Sequence, residues 1–209
     1  LFSLMITLSI LLLVIILFFY NRIKAQINIR KNIKMLTIES EKGRKVAQFS
    51  LGVIYLEGMK IKGIKIPKNY QKAFDLISKS SDQNFSPAQN TLGQMYYKGK
   101  GVPQNYTLAF YFYSRAANQG DPNAQLCLGI MYMEGEGITK NYSIAAEWLT
   151  KAANQGDPNA QLLLGIMYMD GKGVTKNYNI ATEWLTKAAN QGNENAKEGL
   201  RIIRTQLIN

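Results

Sequence analysis

Apolar positions over the last three quarters of the chain recur at helical spacing, in pairs of short runs. In residues 121–156, Ala124, Leu128, Met131 and Tyr132 stand at i, i+4, i+7 and i+8, one face of a helix. Asp121-Pro122 opens that helix with an N-cap and a proline at the first helical position, where its absent N–H costs nothing. The following EGEGITK carries two glycines able to take positive φ, which predicts a stop and a turn. Asn141 then caps a second helix, with Ala145, Trp148, Leu149 and Ala152 at i, i+3, i+4 and i+7. Asn69, Asn105 and Asn177 repeat that cap. Gly129 and Ala145 lack bulk, so the two helices are expected to pack closely as a hairpin.

The unit is a repeat. Residues 121–156 recur as 157–192, both 36 long, with six differences: Cys127/Leu163, Glu134/Asp170, Glu136/Lys172, Ile138/Val174, Ser143/Asn179 and Ala146/Thr182. Residues 85–120 keep Ala88, Leu92, Gly93, Tyr96, Asn105, Ala109 and the ending AANQG, and 46–84 form a first copy with five extra residues between Gly58 and Pro67. A lone helical hairpin cannot bury both faces, whereas stacked copies share one core. The chain is therefore expected to be an all-α solenoid of four stacked hairpins, 46–84, 85–120, 121–156 and 157–192. Residues 193–209 begin another first helix through Ala196 and Leu200, made polar by Glu198, Arg201 and Arg204, which predicts a capping helix. Upstream, Gly43 lies four residues before Ala47, as Gly120 does before Ala124. Met35 and Leu36 then fall at the Trp148 and Leu149 positions, so Ile29–Lys42, within the basic segment 21–45, reads as a degenerate second helix.

Residues 1–20, LFSLMITLSILLLVIILFFY, carry no charge and as a helix would reach roughly 30 Å, the thickness of a bilayer core. They are expected to form one transmembrane helix. A signal peptide has a shorter apolar stretch and a small-residue cleavage site, which NRIKAQ does not offer. Arg22, Lys24, Arg30, Lys31 and Lys34 follow at once, so the positive-inside rule predicts a single-pass protein with its repeats on the cytoplasmic face. A periplasmic or luminal domain is the alternative, should basic residues precede Leu1.

Composition narrows the chemistry. With no histidine and one cysteine, Cys127, the chain excludes intrachain disulfides, paired Cys/His zinc sites and His-based triads. No cofactor and no metal are expected. The net charge is +11, from 25 basic and 14 acidic residues, and residues 21–45 alone hold eight basic against two acidic. That placement suits anionic lipid better than nucleic acid. Lys60, Lys62 and Lys65 of GMKIKGIKI alternate with apolar residues, and the segment reads as a solvated loop, with contact to lipid headgroups or a partner as the alternative. Cys127 takes the place of Leu163 and reads as a packing residue. Asn84, Asn105 and Asn141 head formal glycosylation sequons, although Asn105 and Asn141 are first of all caps.

The pattern A-x-x-x-L-G-x-x-Y-x-x-G-x-G, then N-Y-x-x-A-x-x-W-x-x-K-A-A-x-Q-G, resembles the Sel-one-like repeat family, relatives of the tetratricopeptide repeats. The likeness covers residues 46–192 and is fullest in the last two copies, which hold Trp148 and Trp184 with Lys151 and Lys187. Leu76 and Phe112 at the Trp position, Asn84 at a terminal glycine position and the long first loop depart from it. The resemblance implies a right-handed α/α superhelix that scaffolds other proteins, without catalysis in most members.

In the third and fourth units the first helix has a second apolar stripe, about 200° around from the first. By the same resemblance that stripe faces the concave groove, where it would comprise Phe49, Val53 and Leu56; Asn90, Gln94 and Tyr97; Leu126, Ile130 and Met133; and Leu162, Ile166 and Met169. It is expected to receive an apolar peptide or helix of a protein partner, or else to be core or covered by a second copy. The function expected is a membrane-anchored adaptor and not an enzyme. The alternative is a hydrolase like the cysteine-rich relatives linked to β-lactam hydrolysis; their disulfide in each repeat is missing from a chain with one cysteine.

Overall fold

The computed structural model describes residues 2–208, with side chains for 20–206. Among them are ten helices and one two-stranded hairpin: α1 (Phe2–Glu41), α2 (Lys45–Glu57), β1 (Met59–Ile61), β2 (Ile64–Ile66), α3 (Tyr70–Asp82), α4 (Ser86–Lys98), α5 (Tyr106–Asn118), α6 (Pro122–Glu134), α7 (Tyr142–Asn154), α8 (Pro158–Asp170), α9 (Tyr178–Asn190) and α10 (Glu194–Ile208). They form two compact units, 1–83 and 84–209.

In the second unit, α4 pairs with α5, α6 with α7 and α8 with α9, while α5 packs on α6, α7 on α8 and α9 on α10. This is the stacked-hairpin architecture of a helical solenoid. Local chemistry sets its boundaries. The side-chain oxygens of Asn105, Asn141 and Asn177 accept backbone N–H bonds at the starts of α5, α7 and α9, and those of Asp121 and Asp157 do so for α6 and α8. The core is built from the predicted inner stripe: Ala124, Leu128 and Met131 meet Ala109, Tyr113, Ala116 and Ala117, and one period later Ala160, Leu164 and Met167 meet Ala145, Leu149, Ala152 and Ala153. Trp148 packs on the first of these clusters and Trp184 on the second, so each indole ties its hairpin to the preceding one. Lys151 and Lys187 lie 3.8 and 4.1 Å above the two indole rings and cover their outer faces. Where Phe112 replaces tryptophan, it stacks on Tyr96 with ring centres 5.7 Å apart.

Two glycines are fixed by close approach. A Cβ on Gly129 would stand 2.6 Å from Cγ of buried Leu149, so the α6–α7 contact has no room for a side chain. Gly137, the second glycine of the loop, has φ 72° and would place a Cβ 2.5 Å from the Tyr106 carbonyl. It therefore seats the loop of one hairpin on the preceding one, a role beyond ending a helix.

Buried glutamines run through the stack, a feature the apolar pattern does not reveal. Gln125 Nε2 donates to the Ala117 carbonyl at 3.2 Å, and its Oε1 accepts from Gln155 Nε2 at 2.8 Å. Gln155 also donates to the Gly120 carbonyl at 3.0 Å. Gln161 and Gln191 repeat this arrangement with Ala153 and Gly156. At the first turn of the ladder Gln119 donates to Gln89 and to the side chain of Asn84, which holds φ 56° where later hairpins have glycine. Each seam between hairpins thus holds a buried amide, of Gln89, Gln125 or Gln161, satisfied by an exposed glutamine of the neighbouring turn. α10 closes the unit with Ala196 and Ile203 buried against α9 residues Ala181, Leu185 and Ala188.

In the first unit, α1 packs on α2 and α2 on α3. Gln48 Nε2 donates to the Ser40 carbonyl, the same eight-residue bond that Gln125 gives Ala117, and Gln83 donates to Gln48. The C-terminal turns of α1 so stand to α2 as a second helix stands to the next first helix. The backbone of α1 is one uninterrupted helix through the expected division at residue 20. No helix among the described residues is long and apolar enough to cross a membrane. Residues 1–19, on which the expectation of an anchor falls, lie outside those whose side chains are described.

The segment expected to be a solvated loop is instead an antiparallel β-hairpin. Met59 pairs with Ile66, Lys60 with Lys65 and Ile61 with Ile64. Lys62 and Gly63, at φ 47° and 85°, make the two-residue turn with both central residues in the left-handed region that suits the twist of the strands. The all-α solenoid stands, with this one short hairpin inserted between α2 and α3.

Candidate protein-binding face

The candidate stripe divides in the structure. Asn90, Gln94 and Tyr97 lie on α4, Leu126, Ile130 and Met133 on α6, and Leu162, Ile166 and Met169 on α8. Gln94 is exposed and the other eight are half-buried. Leu126 and Met133 pack against the core cluster formed by α7 and α8, and Leu162 and Met169 against that of α9 and α10. The ends of each stripe therefore fill seams between hairpins, while Ile130 and Ile166 stand between those seam residues. In the first unit Phe49 and Val53 are half-buried, but Leu56 is only 4% exposed. Leu56 is core, and its assignment to a binding groove is corrected: at the last turn of α2 it is folded into the unit.

This face holds a pocket of about 170 Å³, lined by Gln94, Tyr97, Lys98, Tyr113, Cys127 and Ile130. Tyr97 donates its hydroxyl to Glu136 Oε2 at 2.5 Å, tying α4 to the loop after α6. It packs edge-on against Tyr106 and Tyr113, with ring centres 5.3 and 6.4 Å away. The bond to Glu136 holds Tyr97 protonated far above the usual tyrosine range, with burial adding to the effect. Burial does the same for Tyr113, assisted by Cys127. The Cys127 thiol is pushed up chiefly by burial, against a hydrogen bond from Tyr113 that lowers it. A protonated, half-buried thiol is a poor nucleophile, and what the pocket presents is apolar surface edged by an amide, a lysine and a phenol.

Sequence reasoning placed Gln94, Tyr97 and Ile130 on this face and missed Lys98, Tyr113 and Glu136. A signal was present. Two of the six positions at which residues 121–156 and 157–192 differ are Cys127, which lines the pocket, and Glu136, which bonds the lining residue Tyr97. Their counterparts are Leu163, packed on the α7–α8 core, and Lys172, which pairs with Asp170 at 3.1 Å. Among the described residues no three His, Cys, Asp or Glu side chains gather as a metal site.

Comparison with known proteins agrees with this architecture. The Sel1 repeat model matches residues 45–85, 86–121, 122–157 and 158–193. Among solved structures, a protective antigen of uropathogenic Escherichia coli strains displaying an SLR fold is 38% identical with a TM-score of 0.73, over 77% of this chain and 33% of that one. A Sel1 repeat protein from Oxalobacter formigenes is 31% identical with a TM-score of 0.71, over 80% of this chain and 65% of that one. The cysteine rich protein B of Helicobacter pylori is 27% identical with a TM-score of 0.50, over 63% of this chain and 94% of that one. The chain thus spans a third of the E. coli antigen and just under two thirds of the O. formigenes protein. No curated protein matches it. With four consecutive matched units that together cover residues 45–193, the chain belongs to the Sel1 repeat family.

Proposed function

We propose that this chain is a membrane-tethered scaffold that holds a protein partner on the first-helix face of its second unit. Sel1 repeat proteins generally mediate protein–protein interaction. The observation that carries the reading here is the placement of Ile130 and Ile166, half-buried on successive first helices, with the Tyr97 pocket opening beside Ile130. Such a row offers separated apolar anchors with one recess, the form in which an amphipathic helix or extended apolar segment is gripped. The uncharged run 1–20, followed by five basic residues and no acidic one before Glu39, supports the tether. Tethering raises the local concentration of whatever the face holds.

The test is a double substitution, Ile130→Gln with Ile166→Gln, in the full chain. Each change lowers stability by about 1 kcal/mol, the share expected for a half-buried aliphatic side chain. The helical melt is therefore retained while proteins captured by the wild type from its own membrane fraction are lost. Equal capture by both chains contradicts the reading. The seam residues Leu126 and Met169 are unsuitable for this purpose, because their substitution strikes the core.

A further inference from the structure

We propose that the β1–β2 hairpin is a second membrane contact, a basic tip that docks on anionic lipid headgroups beside residues 22–26 of α1. The inference deepens the tether reading and rests on it. The Lys62 carbonyl accepts a hydrogen bond from Gln26 Nε2 at 2.5 Å, and Arg22 reaches within 4 Å of where a side chain on Gly63 would begin. The tip is thus level with residues 22–26, which at about 1.5 Å per residue lie some 3–9 Å along the helix from Tyr20, the depth of a headgroup layer if the bilayer core ends at Tyr20.

Charge and exposure match that occupant. Residues 20–38 and 58–68 together hold nine basic side chains, Lys60, Lys62, Lys65 and Lys68 among them, and no acidic one. Tyr20, Ile23 and Ile27, at i, i+3 and i+7, are 54–60% exposed, and Ile61 at the hairpin tip is 44% exposed. Apolar groups interleaved with basic ones describe an interfacial lipid surface, and the apolar share disfavours a nucleic acid. The hairpin also carries its lysines at a structural cost. Lys60 and Lys65 face each other across the two strands, a like-charge pair that weakens a hairpin. Lys62 occupies a left-handed turn position where asparagine or glycine is favoured. Lysines kept at three positions where they weaken the element point to a demand from outside it.

The full chain, with Cys127→Leu and Ile61→Cys carrying a polarity-sensitive fluorophore, is reconstituted into vesicles of phosphatidylcholine alone or doped with phosphatidylserine. In the doped vesicles the label shifts to shorter wavelength and is shielded from aqueous iodide, and added salt reverses both. Lys65→Glu and Lys62→Asn improve the hairpin itself, so they separate charge from folding; each reduces the shielding, Lys65→Glu about fivefold or more. A chain that floats with both vesicle types while its label stays equally quenched keeps the tether and overturns the hairpin contact. Failure to float with either overturns both. Shielding by a single-stranded oligonucleotide but not by doped vesicles overturns the lipid assignment in favour of nucleic acid.

Discussion

At the scale of single residues, two kinds of position dominate: those where no side chain fits and those where a hydrogen bond or burial fixes a proton. Gly129 is of the first kind. Its replacement by alanine drives a methyl into Leu149, which is fully buried. Overpacking of this sort costs about 1–3 kcal/mol, so Gly129→Ala should lower the thermal midpoint by several degrees in circular dichroism. Tyr97 and Tyr113 are of the second kind. Both have folded-state pKa values above those of the unfolded chain. Their contribution to stability is therefore full below about pH 10, where unfolded tyrosine ionises, and is lost as pH rises beyond it. Phenolate absorbance should show a late fraction that Tyr97→Phe and Tyr113→Phe each diminish. A full tyrosine amplitude reached within the ordinary range, with the helices intact, contradicts this assignment.

At the scale of the element, each hairpin is held to the next by an apolar seam and by an amide pair. Gln125→Ala removes its two bonds in one rung, leaving the Ala117 carbonyl without this donor and Gln155 with its bond to the Gly120 carbonyl alone. The expected loss is about 1–3 kcal/mol, measurable by urea denaturation. It should exceed the effect of Gln104→Ala, whose side chain bonds Tyr97 O and the Tyr106 hydroxyl at an exposed position. The helical elements were legible from the sequence because caps, periodic alanines and leucines, and loop glycines all agree. The glutamine rungs were not, since a polar residue flanked by core positions reads as a surface interruption until its partner 30 residues away is seen. The β-hairpin was legible in principle: Met59, Ile61, Ile64 and Ile66 pair on either side of Lys62-Gly63. Its eight residues were passed over because one extended excursion in a helical repeat competes with the simpler reading of an enlarged loop.

At the scale of the whole molecule, the period of 36 residues made the stacked-hairpin architecture readable, and the binding face only in part. Side-chain spacing assigns residues to a side of a helix, but burial depends on how closely successive first helices approach. That distance is set by contacts no single repeat contains, such as Tyr97 with Glu136, 39 residues apart. It sends Leu126, Met133, Leu162 and Met169 into seams, leaves Ile130 and Ile166 between them, and opens the pocket beside Tyr97.

The central claim is that this row of first helices grips a protein, and site-specific photo-crosslinking in intact cells addresses it most directly. A photoreactive amino acid is placed at Ile130 or Ile166 and, for comparison, at the exposed second-helix positions Glu147 and Glu183. The account predicts one shared adduct from Ile130 and Ile166 and none of that mass from the two glutamate positions. The same adduct from Glu147 and Glu183, with none from the isoleucines, would contradict it.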